Sequence, residues 1–197
     1  RVDTKIRFYK KSLTLAFSQR ERGLWVYHPG QGLNHSMREE RYDLVNIREI
    51  DPSILIAAAY ARADTFVGFA AYPANELFLM KPAAERLARA QRRLQAQGLG
   101  LKCWDAYRPL SLQKIMWEHV RDDRYIANPA TGSRHNRGCA VDLTLVDREG
   151  RELPMPTPYL EFSERAHRDW NFLPPEIARN RQTLENAMAA EGFIPLH

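Results

Sequence analysis

The chain has 197 residues, 44% hydrophobic and 27% charged, which suits one ordinary domain with a sizeable core. No apolar run approaches the roughly 18–20 residues that a membrane-spanning helix needs, and two cysteines are too few for a disulfide framework. The formal net charge of +5 comes from Lys and Arg interspersed with Asp and Glu, which describes a solvated surface rather than a nucleic-acid-binding one.

The first part of the chain carries little periodic signal. Arg1-Val2-Asp3-Thr4-Lys5 has neither an initiator Met nor an apolar signal core; it reads as a processed or trimmed end and leaves a removed export signal open. Phe8, Leu13, Leu15 and Phe17 alternate roughly as a strand would, and Pro29-Gly30-Gln31-Gly32 is loop-like. Residues 1–42 are taken as a partly ordered N-terminal extension, and residues 43–197 as the main domain. Tyr42 to Ile47 predicts a short strand.

Leu77-Phe78-Leu79-Met80 precedes a clear helix, with Pro82 in its first turn, Ala83, Leu87, Ala90 and Leu94 at helical spacing, and Gly98 just past its end. The charges of Glu85 to Arg93 then fall opposite that stripe, as a solvated face. Leu99 to Trp104 predicts a strand. A second helix from about Ser111 sets Leu112, Ile115, Met116, His119 and Val120 on one face, which makes His119 a core histidine rather than a ligand. Ala140 to Val146 predicts another strand, and Asp147-Arg148-Glu149-Gly150 a hairpin-type turn. Pro154 to Asn171 looks irregular. Pro174-Pro175 opens a last helix with Ile177, Leu184 and Met188, Gly192 closes it, and Phe193 begins a strand. The pattern predicts a single α+β domain, helices packed on a small, mainly antiparallel sheet. Cys103 and Cys139 read as small buried residues.

The chemistry concentrates in Ser133-Arg134-His135-Asn136-Arg137-Gly138-Cys139-Ala140-Val141-Asp142. An imidazole and a carboxylate are ligands that zinc accepts, and a catalytic zinc usually takes three protein ligands. The spacing equally admits a hydrogen-bonded loop histidine and a strand aspartate bonded to backbone. Gly138 permits a sharp or crowded backbone, and Asp142 lies in an otherwise apolar strand, where a carboxylate is costly unless paired or metal-bound.

The string Ser-x-His-x-x-Gly-x-Ala-x-Asp, filled by Ser133, His135, Gly138, Ala140 and Asp142, resembles the zinc D,D-peptidase family of D-alanyl-D-alanine dipeptidases and D,D-carboxypeptidases, most of all its vancomycin-resistance type. Trp104-Asp105-Ala106-Tyr107-Arg108-Pro109, Ile47 to Pro52, Tyr60-Ala61 and Phe162 to His167 resemble further family segments, so that the likeness covers roughly residues 43–197. It implies one zinc ion bound by His135 and Asp142, Arg108 as the cation that stabilises an oxyanion, and Ser133 and Tyr72 on the substrate side. It implies a small dipeptide as substrate, no nucleic acid and no membrane span, in a bacterial protein of the cytoplasm or periplasm; oligomeric state stays open. A D,D-carboxypeptidase acting on peptidoglycan stem peptides, or an inactive peptide-binding relative, is the alternative.

The general base and third ligand are a separate matter. Glu164-Arg165-Ala166-His167 has the right look for them, but its counterpart in the family is a loop without that role. The family places the pair in a Glu-Trp-Trp-His motif soon after the last helix, so the expectation is that it lies beyond His197 and that 43–197 lacks the C-terminal end of the domain. Asp64-Thr65-Phe66 and Ala57-Ala58-Ala59 depart from the family pattern near the substrate side, which leaves dipeptide specificity open.

Overall fold

The computed structural model describes residues 24–27, 43–123, 125–161, 163, 165 and 170–195. In chain order these form β1 (Leu24–Tyr27), β2 (Leu44–Asn46), α1 (Ile47–Ile50), β3 (Leu55–Ile56), β4 (Phe78–Met80), α2 (Lys81–Gln95), β5 (Gly100–Asp105), α3 (Leu110–Val120), β6 (Ala140–Val146), α4 (Pro175–Ala189) and β7 (Phe193–Pro195). Five strands make one sheet in the order β3-β5-β6-β1-β7, and β2 pairs with β4 separately. Among the described residues only the β3–β5 pair is parallel. The fold is thus the expected single-domain α+β arrangement with a mainly antiparallel sheet.

β6 lies in the middle of the sheet and is buried along its whole length, which is why its sequence reads as a nearly unbroken apolar run. α2 covers the sheet through Ala83, Leu87, Ala90 and Leu94, with Pro82 in its first turn as the sequence predicts. One polar residue, Gln91, joins that buried stripe. Its Oε1 accepts from Leu101 N (2.8 Å) and its Nε2 donates to Ser53 O (3.2 Å), so a buried amide ties the helix to β5 and to the loop before β3. The opposite face is not simply solvated: Arg89 and Arg93 each reach the buried carboxylate of Glu191 at 2.6 Å, and Arg86 donates to Glu191 O at 2.9 Å. These contacts clamp α2 to the end of α4.

The structure adds to the sequence reading in one further place and departs from it in another. Within the segment assigned to the N-terminal extension, Leu24–Tyr27 forms β1 between β6 and β7, with Leu24 opposite Asp142 and Tyr27 opposite Phe193. Its partners lie far away in sequence, so local pattern gives no sign of it. On α3 the buried residues are Leu112, Gln113 and Met116, while Ile115 and His119 are exposed, so His119 is not a core histidine. The helix is rotated toward the side that Gln113 occupies, because that amide is drawn inward to a charged partner described below. The expected strand over Phe8 to Phe17 and the loop at Pro29 to Gly32 lie outside the described residues. No described helix is long and apolar enough to cross a membrane.

Candidate active site

The site forms where β5 meets β6, and an irregularity in their pairing creates it. Cys103 is opposite Leu143, but the next pair is Asp105 with Asp142, which leaves Trp104 as an extra residue on β5. Regular alternation would set Trp104 opposite Asp142; the bulge sets Asp105 there instead. Two carboxylates thereby face one small volume.

Asp105 is fully buried and fully engaged. Its Oδ1 accepts from Tyr72 OH (2.6 Å) and Ala106 N (3.0 Å). Its Oδ2 accepts from Arg108 Nε (2.9 Å) and Nη2 (2.5 Å). Arg108, only 3% exposed, also donates through Nη1 to Gln113 Oε1 (2.9 Å), and Gln113 passes on the restraint by donating to Ala127 O (2.7 Å). The guanidinium carbon lies 5.6 Å from the centre of the Tyr60 ring. A guanidinium has five N–H groups, and these contacts use three.

His135 begins a short 3-10 turn, His135–Arg137, that ends at Gly138 with φ +65°. That turn is stitched to the Arg108 loop twice: Arg108 N donates to His135 O (3.1 Å), and Asn136 Nδ2 donates to Arg108 O (2.8 Å). The imidazole Nδ1 is 2.6 Å from Ala106 O. A carbonyl only accepts, so this contact puts the proton on Nδ1 and leaves the lone pair on Nε2. Nε2 faces Asp142 Oδ1 at 3.7 Å. Burial, and then the charge of Arg108, push the His135 pKa down to about 4, so the ring is neutral at pH 7.

An imidazole lone pair and a carboxylate oxygen thus confront each other with no proton between them. Two ligands bound tetrahedrally to zinc at 2.0–2.1 Å lie about 3.3 Å apart, so the 3.7 Å separation needs an adjustment of only a few tenths of an ångström to admit the ion. Asp105, His135 and Asp142 bring one donor atom each within 4.8 Å of one another, a grouping able to hold a metal ion. Of the three, Asp105 already has its charge met by Arg108. The donor set of His135 and Asp142, neutral nitrogen plus carboxylate oxygen, suits zinc.

Ser133 lies beside this pair, its Oγ accepting from His135 N (3.2 Å) and its own N–H donating to Asn136 Oδ1 (2.7 Å). Tyr72 reaches the site through Asp105. Glu164, His167 and His197 lie outside the described residues. Cys103 and Cys139 are both free and buried, as the sequence reading has them. Three site residues were missed: Asp105, Gln113 and Tyr159, whose hydroxyl donates to Asp142 Oδ2 (3.1 Å). Asp105 carried the signal used for Asp142, a carboxylate in an otherwise largely apolar strand. Gln113 and Tyr159 carried none.

A model of the peptidase M15 family, described as D-ala-D-ala dipeptidase, matches residues 40–197. A D-alanyl-D-alanine dipeptidase of Escherichia coli is 38% identical over 152 residues, covering 77% of this chain and 79% of that protein. Proteins of the same name from Streptomyces coelicolor and Enterococcus faecium are 32% identical over 172 residues and 31% identical over 157. The first alignment covers 77% of this chain and 85% of the relative, the second 69% and 78%. With the family model spanning most of the sequence and relatives aligned over most of their length, the chain belongs to the peptidase M15 family of D-Ala-D-Ala dipeptidases.

Proposed function

We propose that this protein is a metallopeptidase that hydrolyses D-alanyl-D-alanine in cell-wall peptide metabolism, with one zinc ion held by His135 and Asp142. The observation that carries it is the opposition of the His135 Nε2 lone pair and Asp142 Oδ1, in a ring kept neutral by burial. Zinc, when bound, supplies Lewis acidity toward a carbonyl oxygen and toward water.

The protein's own part is orientation and charge. Asp105 takes the Nε–Nη2 edge of Arg108 and Gln113 takes Nη1, so the guanidinium is fixed before any substrate arrives. Its remaining N–H groups are the donors for an oxyanion developing on the scissile carbonyl, where a preset donor in a dry site is worth most. Tyr72 and Ala106 N hold Asp105, and Ser133 holds the backbone N–H of His135. Hydrolysis also needs a proton acceptor and a further protein ligand. Among the described residues only Asp105 groups with His135 and Asp142, and its oxygens are committed, Oδ1 to Tyr72 OH and Ala106 N and Oδ2 to Arg108.

Release of D-alanine from D-alanyl-D-alanine by the purified protein tests this. Turnover is expected to vanish with a chelator, to return with zinc, and to be lost in His135→Ala and Asp142→Ala. Turnover indifferent to chelator would sink the zinc assignment. Preference for a pentapeptide ending in D-Ala-D-Ala over the free dipeptide would overturn the dipeptidase reading.

A further inference from the structure

Asp142 has two oxygens, and different partners face them. Oδ1 is turned to His135 Nε2 at 3.7 Å, and Oδ2 accepts from Tyr159 OH at 3.1 Å. Tyr159 belongs to an irregular segment, yet its ring is fixed: it stacks on Trp104 with centroids 4.5 Å apart and planes 15° from parallel. Trp104 is the extra residue of the β5 bulge, so the irregularity that sets Asp105 opposite Asp142 also provides the surface on which Tyr159 lies. Immediately afterwards Leu160 adopts φ +66°, a conformation a branched side chain rarely takes, in a turn closed by Glu161 N donating to Pro158 O (3.3 Å). Strain held at one residue beside a polar contact into a site marks a segment whose placement the surroundings impose.

We propose that Tyr159 is a positioning residue for Asp142, its hydroxyl holding Oδ2 so that Oδ1 is presented toward His135 as a one-oxygen metal ligand. A hydrogen bond on one oxygen opposes the rotation that would offer both to one metal ion. Outer partners of this kind fix ligand orientation and are typically worth 10–100-fold in metal affinity. The inference rests on Asp142 being a zinc ligand.

The test uses the full chain and Tyr159→Phe, which keeps the ring and removes the hydroxyl, together with Tyr159→Leu and Asp142→Asn. Zinc affinity is read by competition with a chromogenic chelator, alongside the thermal midpoint of the metal-free protein and kcat and KM separately. Tyr159→Phe is expected to weaken zinc binding roughly 10-fold or more. It should also lower kcat at limiting zinc, leave KM within twofold, and leave the metal-free midpoint within a few degrees. Tyr159→Leu is expected to bind zinc no more than about twofold worse than Tyr159→Phe. Wild-type affinity in Tyr159→Phe with loss only in Tyr159→Leu would assign the effect to the ring stack and overturn the proposal, as would a rise in KM with zinc affinity intact. If Asp142→Asn itself retained wild-type zinc affinity, the ligand assignment would fail, a result distinct from failure of the Tyr159 role.

Discussion

Arg108 is held against Asp105 by Nε at 2.9 Å and Nη2 at 2.5 Å, in a pair that solvent scarcely reaches. The pair is local in sequence, three residues apart, but it exists because the bulge at Trp104 turns Asp105 toward the site. Burying two charges is costly, and the geometry offsets that cost with hydrogen bonds on every side of the carboxylate. The result is a cation aimed before substrate binds.

Arg108→Ala is therefore expected to act twice. Loss of the proposed oxyanion donor should lower kcat by about 10²–10³-fold. Leaving Asp105 buried without its counter-charge should cost about 3–5 kcal/mol of stability. Arg108→Lys keeps the charge but not the fork, so it should recover stability better than kcat. Urea unfolding and steady-state kinetics on the same preparations check both. Equal recovery of the two would argue against a geometric role for the guanidinium.

Gln113 separates aim from charge. Its amide bridges Arg108 Nη1 and Ala127 O, both with its side chain buried. Gln113→Leu leaves the Asp105 pair intact and frees one edge of the guanidinium. kcat is expected to fall by more than KM rises. The unmet buried groups should cost about 1–3 kcal/mol, read by chemical denaturation. A KM effect alone would place Gln113 in substrate binding.

Gly138 carries His135. Its φ is +65°, its N–H donates to His135 O at 3.0 Å, and its carbonyl accepts from Met80 N at 2.9 Å. A Cβ there would come within 2.6 Å of Leu44 Cδ2 and 3.1 Å of the Met80 backbone nitrogen. Gly132 has a similar φ of +73°, but its nearest neighbour would be 3.7 Å away. Both alanine variants bear the left-handed backbone cost of about 1–3 kcal/mol. Only Gly138→Ala should add a steric cost and weaken zinc binding through displacement of His135. Equal thermal midpoints for the two variants would contradict this.

These residues show how far local pattern reaches. The helix over Lys81–Gln95, the strand over Ala140–Val146 and the last helix were legible because each repeats an apolar spacing over several turns or residues. His135, Asp142 and Arg108 were legible through their motif, though the spacing by itself left a bland alternative. Asp105 escaped because strand alternation assigns Trp104 to its place, and a bulge leaves no mark that periodicity detects. Gln113 stands outside the apolar spacing of α3, and its bond to the buried Arg108 explains its inward turn. β1 depends on a partner strand more than a hundred positions away and Tyr159 on a carboxylate 17 positions away, so local periodicity does not contain their reason for being where they are.

His135 makes the metal-free protein sensitive to mild acid. Its folded pKa of about 4 lies below the usual 6.5, chiefly because burial penalises the imidazolium and secondarily because Arg108 repels it. Between those two values the unfolded chain binds a proton that the folded chain does not, so folding stability falls as pH drops from about 6.5 to about 4 and levels off below that. At about 1.4 kcal/mol per pH unit this one group accounts for roughly 3 kcal/mol, present in full above pH 6.5. Chelator-treated wild-type protein is expected to lose that much more stability across the window than His135→Gln, whose amide does not titrate. Unfolding by urea at a series of pH values measures the difference. Parallel curves for the two proteins would mean that His135 is not held neutral by its surroundings, and would remove the basis for a lone pair directed at Asp142.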